Sequence, residues 1–245
     1  MADVVLITGA SSDLGSALAR RLLASGRPLS VIAHSHTGGS RIQQLQAEFG
    51  ERVSLFQADF SDADAVRKMS QEILERFGSP TQIVHLPALR LNYERLTRFN
   101  LERFHKDMAI QVEAAVILLQ LFAPRMTKTP GSRMVFVSSS VTHGMPPKFM
   151  SMYTLVKYAQ LGLMRAAAAE YAATHLTVNA VSPGMIETQF LAEIAEHIVE
   201  MSAAANPKGR NAHPEDVLGA IEFLLSPGAG YITGADIPIA AGSVS

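Results

Sequence analysis

The composition of this 245-residue chain excludes several kinds of protein before any motif is considered. It has no cysteine, which rules out disulfides, thiolate-bound metals and cysteine nucleophiles. A net charge of −1 argues against a general nucleic-acid binder, and the longest apolar region, residues 112–123, is too short to cross a bilayer. Because Asp3 interrupts the short apolar N-terminus, no signal peptide is predicted, and we expect a cytoplasmic protein without nucleic-acid or membrane partners.

Short β-type runs alternate with longer runs of helical period along the whole chain. Strands are predicted at Val4–Thr8, Leu29–Ala33, Val53–Gln57, Gln82–Leu86, Arg133–Ser138, Leu176–Val181 and Asp236–Ile239. Helices are predicted at Leu14–Ala24, Arg41–Phe49, Ala63–Phe77, Leu101–Met126 and Tyr153–Ala173. Several strands are apolar throughout, as strands buried on both faces are. The pattern predicts an α/β fold with a doubly wound, Rossmann-like parallel sheet of about seven strands and helices on both faces, in one domain over residues 1–245.

The first candidate site is the loop TGASSDLG between the first strand and the first helix. Ligands of doubly wound sheets bind beyond the carboxyl ends of the strands, so this loop is where a dinucleotide is expected. Gly9 permits a tight turn, and Gly15 lets the helix pack closely on the sheet. The helix N-terminus, with Ser11 and Ser12, can then face a pyrophosphate. Asp13 stands where such loops usually have glycine: its charge repels phosphates, or it turns onto the helix amides as an N-cap.

A second group of reactive side chains follows the fifth predicted strand. Ser140 lies at the end of that strand, and Tyr153 and Lys157 are four residues apart on one face of the next helix. Alone, such a pair usually marks no more than a solvated helix face. In chain order, however, the TG…G loop, Ser140, the Tyr153/Lys157 pair and the NAVSPG run at 179–184 resemble the compact short-chain dehydrogenase/reductase family, including its 3-oxoacyl-[acyl-carrier-protein] reductases. The resemblance covers essentially the whole chain.

This resemblance implies an NAD(P)-dependent oxidoreductase acting on a hydroxyl or carbonyl group. Tyr153 would donate the proton to the carbonyl oxygen, and Lys157 would lower the pKa of Tyr153 and bind the nicotinamide ribose. Ser140 would hold the substrate oxygen. Gln111 stands where the family has a catalytic asparagine, and its amide would order a relay water near Lys157.

On the cofactor side, the resemblance implies that Asp59 contacts the adenine, that Pro183 and Gly184 lie against the nicotinamide, and that Thr188 fixes the carboxamide. The complete expected set of cofactor-binding residues is Gly9, Ser11, Ser12, Asp13, Leu14, Gly15, His34, Ser35, His36, Arg41, Asp59, Phe60, Pro87, Ala88, Tyr153, Lys157, Pro183, Gly184, Ile186 and Thr188.

Three departures from the family pattern lie near the expected cofactor. Besides Asp13 and Gln111, the family's Asn-Asn-Ala-Gly reads His85-Leu86-Pro87-Ala88, which removes a backbone donor and adds a methyl group. Because the serine, tyrosine and lysine are intact, we interpret the chain as a working, divergent enzyme. The rival hypothesis from another class is a non-catalytic, NADP-binding regulatory module.

The end of the second predicted strand bears on the choice of cofactor. An enzyme that selects NAD usually has an acid there, whereas this chain has Ala33-His-Ser-His36, followed by Arg41. We therefore expect NADPH (NADP+) to be preferred over NADH, with Arg41, Ser35 or the histidines holding the 2′-phosphate. The two histidines have metal-like spacing, but no further ligand is near in sequence, so no metal is predicted.

The expected substrate pocket is apolar and rich in methionine. Its candidate residues are His143, Met145, Met150, Met185 and Phe190, with a covering segment at about residues 184–212. Methionine side chains adapt to a long or variable acyl chain. The leading hypothesis is reduction of a 3-oxoacyl thioester to its 3-hydroxyacyl product, in fatty acid or polyketide synthesis. The alternative enzyme is a reductase or dehydrogenase of small free ketones, alcohols or sugars.

Partners are suggested by two surface features. Residues 88–106 contain five basic and two acidic residues. This segment is either a solvated helix face or a surface that attracts an acidic acyl carrier protein. The basic residues are Arg90, Arg95, Arg98, Arg103 and Lys106. Residues 109–123 and 153–173 are apolar on more than one helix face. Because family members commonly associate through these two helices, a homo-oligomer, tetramer or dimer, is expected.

Overall fold

A sheet of seven parallel strands forms the centre of the computed structural model, which describes residues 3–243. The strands are β1 (Asp3–Thr8), β2 (Leu29–Ser35), β3 (Val53–Gln57), β4 (Gln82–His85), β5 (Arg133–Val137), β6 (Thr177–Pro183) and β7 (Asp236–Ile239). They are ordered β3-β2-β1-β4-β5-β6-β7, and every neighbouring pair is parallel. The doubly wound sheet predicted from the sequence is confirmed, with strand ends that agree to within two residues.

Helices cover both faces of the sheet, as predicted. Within the described residues they are α1 (Asp13–Ala24), α2 (Ser40–Phe49), α3 (Ala63–Phe77), α4 (Leu101–Met108), α5 (Ala114–Met126), α6 (Ser151–Glu170), α7 (Glu196–Ala205) and α8 (Pro214–Leu225). The apolar faces of α1, α2 and α8 pack on one side of the sheet, and those of α3, α5 and α6 pack on the other. The carboxyl ends of the strands are left open between these two layers, which is where ligands bind in such folds.

The predicted helix over residues 101–126 is continuous, but it contains a π turn, Ala109–Glu113, between α4 and α5. An 18-residue window of this helical run has mean hydropathy 1.4, enough to cross a membrane by length and composition alone. Half of that window is buried inside the fold, where Leu118 and Phe122 are fully enclosed by the core. The apolar character of α5 is therefore explained by packing against the sheet.

No helix was predicted between the sixth and seventh strands, and this was wrong, because α7 and α8 lie there. The start of α8 carries signals that sequence analysis could have used. Pro214 is its first residue, and Asp216 in the first turn accepts a hydrogen bond from the His213 N–H at 2.8 Å. Arg210 pairs with Asp216 at 2.6 Å and holds the pKa of that carboxyl well below its usual range.

Two buried histidines tie the carboxyl ends of the central strands to neighbouring elements. His85, at the end of β4, places Nδ1 3.0 Å from Thr8 Oγ1 and donates from Nε2 to the Gln111 carbonyl, 3.1 Å away, in the π turn. His34, in β2, uses both ring nitrogens on backbone groups of adjacent loops. Burial lowers the pKa of His34 to about 4 and that of His85 to about 3, so both rings are neutral near pH 7.

These depressed pKa values predict loss of stability in acid. Between about pH 6.5 and pH 4 the unfolded chain binds protons that the folded chain refuses, so the free energy of unfolding decreases as the pH falls. The variant His85→Asn lacks one of these two histidines. The free energy of unfolding of this variant, measured by urea denaturation, should vary with pH less steeply than that of the wild type over this range. The slope should be smaller by up to about 1.4 kcal/mol per pH unit. The exposed His175→Asn is the control; an unchanged slope in His85→Asn would contradict this assignment.

Candidate active site

A cavity of about 800 Å³ opens at the carboxyl edge of the sheet, between the first loop and α6. It is lined by the ends of strands β1, β2, β4, β5 and β6 and by the segment that follows β6. Every site residue predicted from the sequence lines this cavity except Gly15, Ser35 and Gln111. One cavity thus brings together the expected cofactor, catalytic and substrate residues.

The first loop has the shape that its glycines require. Gly9 has φ +74°, and a Cβ there would lie 3.2 Å from the nitrogen of Pro87, so the loop after β4 approaches it closely. A Cβ on Gly15 would lie 2.5 Å from the Gly9 carbonyl oxygen, so Gly15 supports the loop from beneath instead of lining the cavity. The N-cap of α1 is Ser12, whose Oγ accepts from the Gly15 N–H at 3.0 Å. The alternative that Asp13 is the N-cap is therefore wrong.

The structure corrects the expected ligands of a 2′-phosphate. Ser35 is fully buried, and its Oγ accepts a hydrogen bond from the Gly38 N–H at 3.0 Å, so it turns away from the cavity. His34 is 2% exposed, with both ring nitrogens engaged. His36 and Arg41 remain partly exposed at the cavity. These two side chains, Ser11 and the N-terminus of α1 are suitable donors for an anionic dinucleotide, and the cavity has the size of a typical ligand pocket.

The tyrosine and lysine lie together on α6, but their electrostatics differ from the expectation. Lys157, 3% exposed, donates from Nζ to the Val137 carbonyl at 2.9 Å and to Gln160 Oε1 at 3.3 Å, because a buried ammonium needs acceptors. Burial raises the pKa of Tyr153 to about 12, outweighing the polar side chain of Ser139 nearby, which lowers it. The expected lowering of this pKa by Lys157 is not found. Burial also lowers the pKa of Lys157, to about 8.

Two serines follow β5 at the cavity, Ser139 and the predicted Ser140. Strand β5 ends at Val137, and Ser139 still has extended backbone, while Ser140 begins a 3₁₀ turn that Ser139 caps. Both serines line the cavity, but Ser139 is only 7% exposed, whereas Ser140 is partly exposed. Ser140 therefore stays the predicted residue that holds the substrate oxygen.

Asp107 is a functional candidate that the sequence analysis missed. It is 3% exposed, and its Oδ1 accepts from the Leu89 N–H at 3.1 Å and from Gln111 Nε2 at 2.8 Å. Its negative charge raises the pKa of Lys157 and that of Tyr153. Gln111 does not line the cavity: its Nε2 donates to Asp107, its backbone carbonyl accepts from His85, and its Oε1 has no partner within residues 3–243, so the predicted contact with a relay water stays a prediction. The four-residue spacing of Asp107 and Gln111 on a predicted helix was the available signal.

The substrate side of the cavity is mostly apolar. Met150, Met185 and Phe190 cluster around Tyr153, whose ring centroid is 6.2 Å from that of Phe190. His143 adds one polar group, held by the Asp236 carboxylate at 2.9 Å. Met145 also lines the cavity but is 93% exposed, which places it at the rim.

Comparison with known proteins identifies the family. A family model described as enoyl-(acyl carrier protein) reductase matches residues 9–243. The chain belongs to the short-chain dehydrogenase/reductase family. It is 29% identical to cis-4-hydroxycyclohexanecarboxylate dehydrogenase of Sinomonas cyclohexanicum, over 98% of this chain and 95% of the relative. It is also 29% identical to the 3-oxoacyl-[acyl-carrier-protein] reductase MabA of Mycobacterium tuberculosis, over 97% and 91%.

One of the similar solved structures contains a nicotinamide cofactor. The short-chain dehydrogenase of Burkholderia cenocepacia, determined in complex with NADP, superposes with a TM-score of 0.88 at 25% identity, covering 98% of this chain and 97% of that one. As a short-chain dehydrogenase/reductase, the protein is an NAD(P)-dependent oxidoreductase that acts on hydroxyl or carbonyl groups.

Because the charge of Asp107 raises the pKa of Lys157, we expect Asp107→Asn to shift the pH dependence of kcat/KM. Lys157 loses its proton as the pH rises through about 8, so kcat/KM for carbonyl reduction should decrease above that pH. Asp107→Asn keeps the shape but removes the charge that raises this pKa. The decrease should therefore begin at lower pH, by on the order of one unit or less. The control is Glu113→Gln, which changes an exposed acid in the π turn that follows α4; an equal shift in both variants, or none in Asp107→Asn, would rule out this role.

Proposed function

We propose that this protein is an NADPH-dependent carbonyl reductase that converts a 3-oxoacyl thioester, bound to an acidic carrier protein, into the 3-hydroxyacyl product. The observation that carries this proposal is that the partly buried Tyr153 lines a cavity whose wall around it is apolar and rich in methionine, with bases beside the cavity mouth. The similarity to the 3-oxoacyl-[acyl-carrier-protein] reductase MabA supports the same substrate class.

The residues around Tyr153 account for the proton that a reduction consumes. Bound NADPH supplies the hydride, and the protein must deliver a proton to the carbonyl oxygen as negative charge develops there. With its pKa raised to about 12, Tyr153 retains its proton at neutral pH and is therefore a donor. Ser140 holds the substrate oxygen beside it, and the ammonium of Lys157 stabilises the charge left on the tyrosine oxygen.

The cofactor is assigned to the other end of the cavity. The first loop and the N-terminus of α1, which line the cavity, would hold the pyrophosphate, and Asp59 would lie on the adenine side. The Asp59 carboxylate accepts hydrogen bonds from Ser61, which lower the pKa of Asp59 although burial alone would raise it. Residues 183–188 would contact the nicotinamide. The case for NADPH is the absence of an acid at the end of β2, together with Arg41 beside the cavity.

The substrate class is inferred from the cavity wall and from the segment at about 184–212. This segment includes α7, and Met185, Phe190 and Leu191 extend the apolar wall over Tyr153. Such a wall suits an acyl chain better than a sugar, because it offers few hydrogen-bonding groups and large adaptable side chains.

The carrier protein is inferred from the bases near the cavity mouth. Arg90 lines the cavity and pairs with Glu193 at 3.6 Å, while Arg103 donates to the Arg90 carbonyl at 2.6 Å. Arg95 and Arg98 are exposed and form no ion pair within residues 3–243. These two free charges would attract an acidic carrier surface beside the cavity.

A reductase or dehydrogenase of small free molecules is the second candidate. It is favoured by the similarity to cis-4-hydroxycyclohexanecarboxylate dehydrogenase, whose substrate as named is a small hydroxy acid. For either enzyme we propose a cytoplasmic homo-oligomer, tetramer or dimer. The exposed side chains of Leu155 and Tyr158 on α6, 51% and 46% accessible, support an interface on that helix.

Tyr153→Phe tests the chemistry and separates an enzyme from a non-catalytic NADP-binding module. The variant keeps the ring that packs near Phe190 and removes only the proton donor. Turnover of a β-ketoester, followed by loss of NADPH absorbance, should fall about 100-fold or more, while NADPH binding persists. Tyr231→Phe, which changes a fully exposed tyrosine outside the cavity lining, is the control. Near-normal activity of Tyr153→Phe would refute the mechanism, and an inactive wild type would favour the module.

Steady-state kinetics test the carrier protein. The value of kcat/KM for a carrier-bound 3-oxoacyl thioester should exceed that for its N-acetylcysteamine analogue, and the advantage should shrink at high salt. Arg95→Glu and Arg98→Glu should each reduce the advantage several-fold and leave the analogue unaffected. The control is Lys68→Glu, which reverses the charge of an exposed side chain on α3. If the carrier gives no advantage, or one insensitive to salt and to both reversals, the small-molecule enzyme replaces this proposal.

A further inference from the structure

The carboxylate of Asp13 joins three elements around the cofactor side of the cavity. Its Oδ1 accepts a hydrogen bond from Arg41 Nη2 at 2.7 Å, and its Oδ2 accepts one from the backbone N–H of Gln189 at 3.0 Å. Asp13 begins α1, Arg41 is in the first turn of α2, and Gln189 follows β6. All three residues line the cavity, so this carboxylate links the first loop to the segment on the opposite wall.

The two donors that Asp13 engages are the kinds that bind phosphate groups. A guanidinium binds phosphate through paired hydrogen bonds, and backbone N–H groups near helix ends bind phosphate oxygens. Arg41 is further occupied, because its Nη1 donates to the Ser11 carbonyl at 3.3 Å. The protein therefore supplies its own anion to donors that face the site of an anionic cofactor.

Arg41 and Asp13 form an ion pair at this end of the cavity, with 2.7 Å between Arg41 Nη2 and Asp13 Oδ1, so the charge of Asp13 offsets that of Arg41. Both side chains of the Asp13–Arg41 pair remain partly exposed, at 26% and 35%, so a ligand can reach the pair. A 2′-phosphate that approaches Arg41 meets the Asp13 carboxylate, which is also negatively charged. The phosphate must either displace this carboxylate or share the guanidinium with it.

We propose that Asp13 is a specificity-determining residue that competes with the cofactor for Arg41 and for the Gln189 N–H. The competition weakens the binding of nicotinamide dinucleotides and reduces, most of all, the advantage of NADPH over NADH. The inference rests on the proposed function in one respect, the placement of the 2′-phosphate near Arg41.

Binding of the reduced cofactors without carbonyl substrate tests the inference. The chain has no tryptophan, so nicotinamide fluorescence reports Kd without interference from indole. Asp13→Asn retains an oxygen that can accept the Gln189 N–H and loses the charge. It should bind NADPH about five- to tenfold more tightly than the wild type and NADH no more than about twofold more tightly. Asp13→Gly, which removes the whole side chain, should change the NADPH/NADH ratio in the same direction.

A double-mutant cycle identifies Arg41 as the group released. In an Arg41→Gln background, Asp13→Asn should give no selective gain for NADPH. Asp64→Asn, which removes an exposed acid from the first turn of α3, is the matched control and should leave both Kd values unchanged. Unchanged or weaker NADPH binding by Asp13→Asn, an equal gain for both cofactors, or a selective gain that survives Arg41→Gln would overturn the inference.

The wild-type Kd values decide the proposed cofactor preference separately. If the wild type binds NADH more tightly than NADPH, the proposed preference is contradicted. The role of Asp13 is then still judged by the ratio change in the variants, because that change compares the same two cofactors before and after loss of one charge.

Discussion

The active site depends on a buried ammonium group that must be neutralised inside the protein. Lys157 is almost fully enclosed, and an unpaired charge at that depth costs several kcal/mol. The Val137 carbonyl, the Gln160 side chain and the nearby charge of Asp107 meet this requirement. Because these partners come from β5, α6 and α4, satisfying one charge fixes the position of α6 against the sheet. Tyr153, one turn earlier on the same helix, is thereby fixed over the cavity.

The departures from the family pattern form a consistent set of contacts. His85 spans the distance from Thr8 in β1 to the Gln111 carbonyl, and the π turn presents that carbonyl to it. The longer Gln111 side chain folds back to Asp107, which also holds the Leu89 N–H. His85 and Gln111 therefore each bond another buried polar group, as a stable interior requires. These contacts show how two of the departures are accommodated in the interior.

The two ends of the cavity follow different physical rules. Around the first loop, charged groups are paired with one another, so ligand binding there is an exchange of ionic partners. Around Tyr153, the wall is made of apolar side chains such as Met150 and Phe190, so binding there is driven by burial of apolar surface. The apolar end also raises the pKa of Tyr153 by excluding water, which links the choice of substrate to the protonation state of the donor.

The sequence by itself determined the sheet, the two helical layers and the cavity's main residues, because strand and helix periods and the spacing of Tyr153 and Lys157 are local properties. It missed α7 and α8, whose signals are short caps. Only the tertiary structure decided the partners of Lys157 and Asp13, since their acceptors and donors come from distant parts of the chain. The physical reason is that charge pairing and burial depend on distances in space, which sequence separation does not encode.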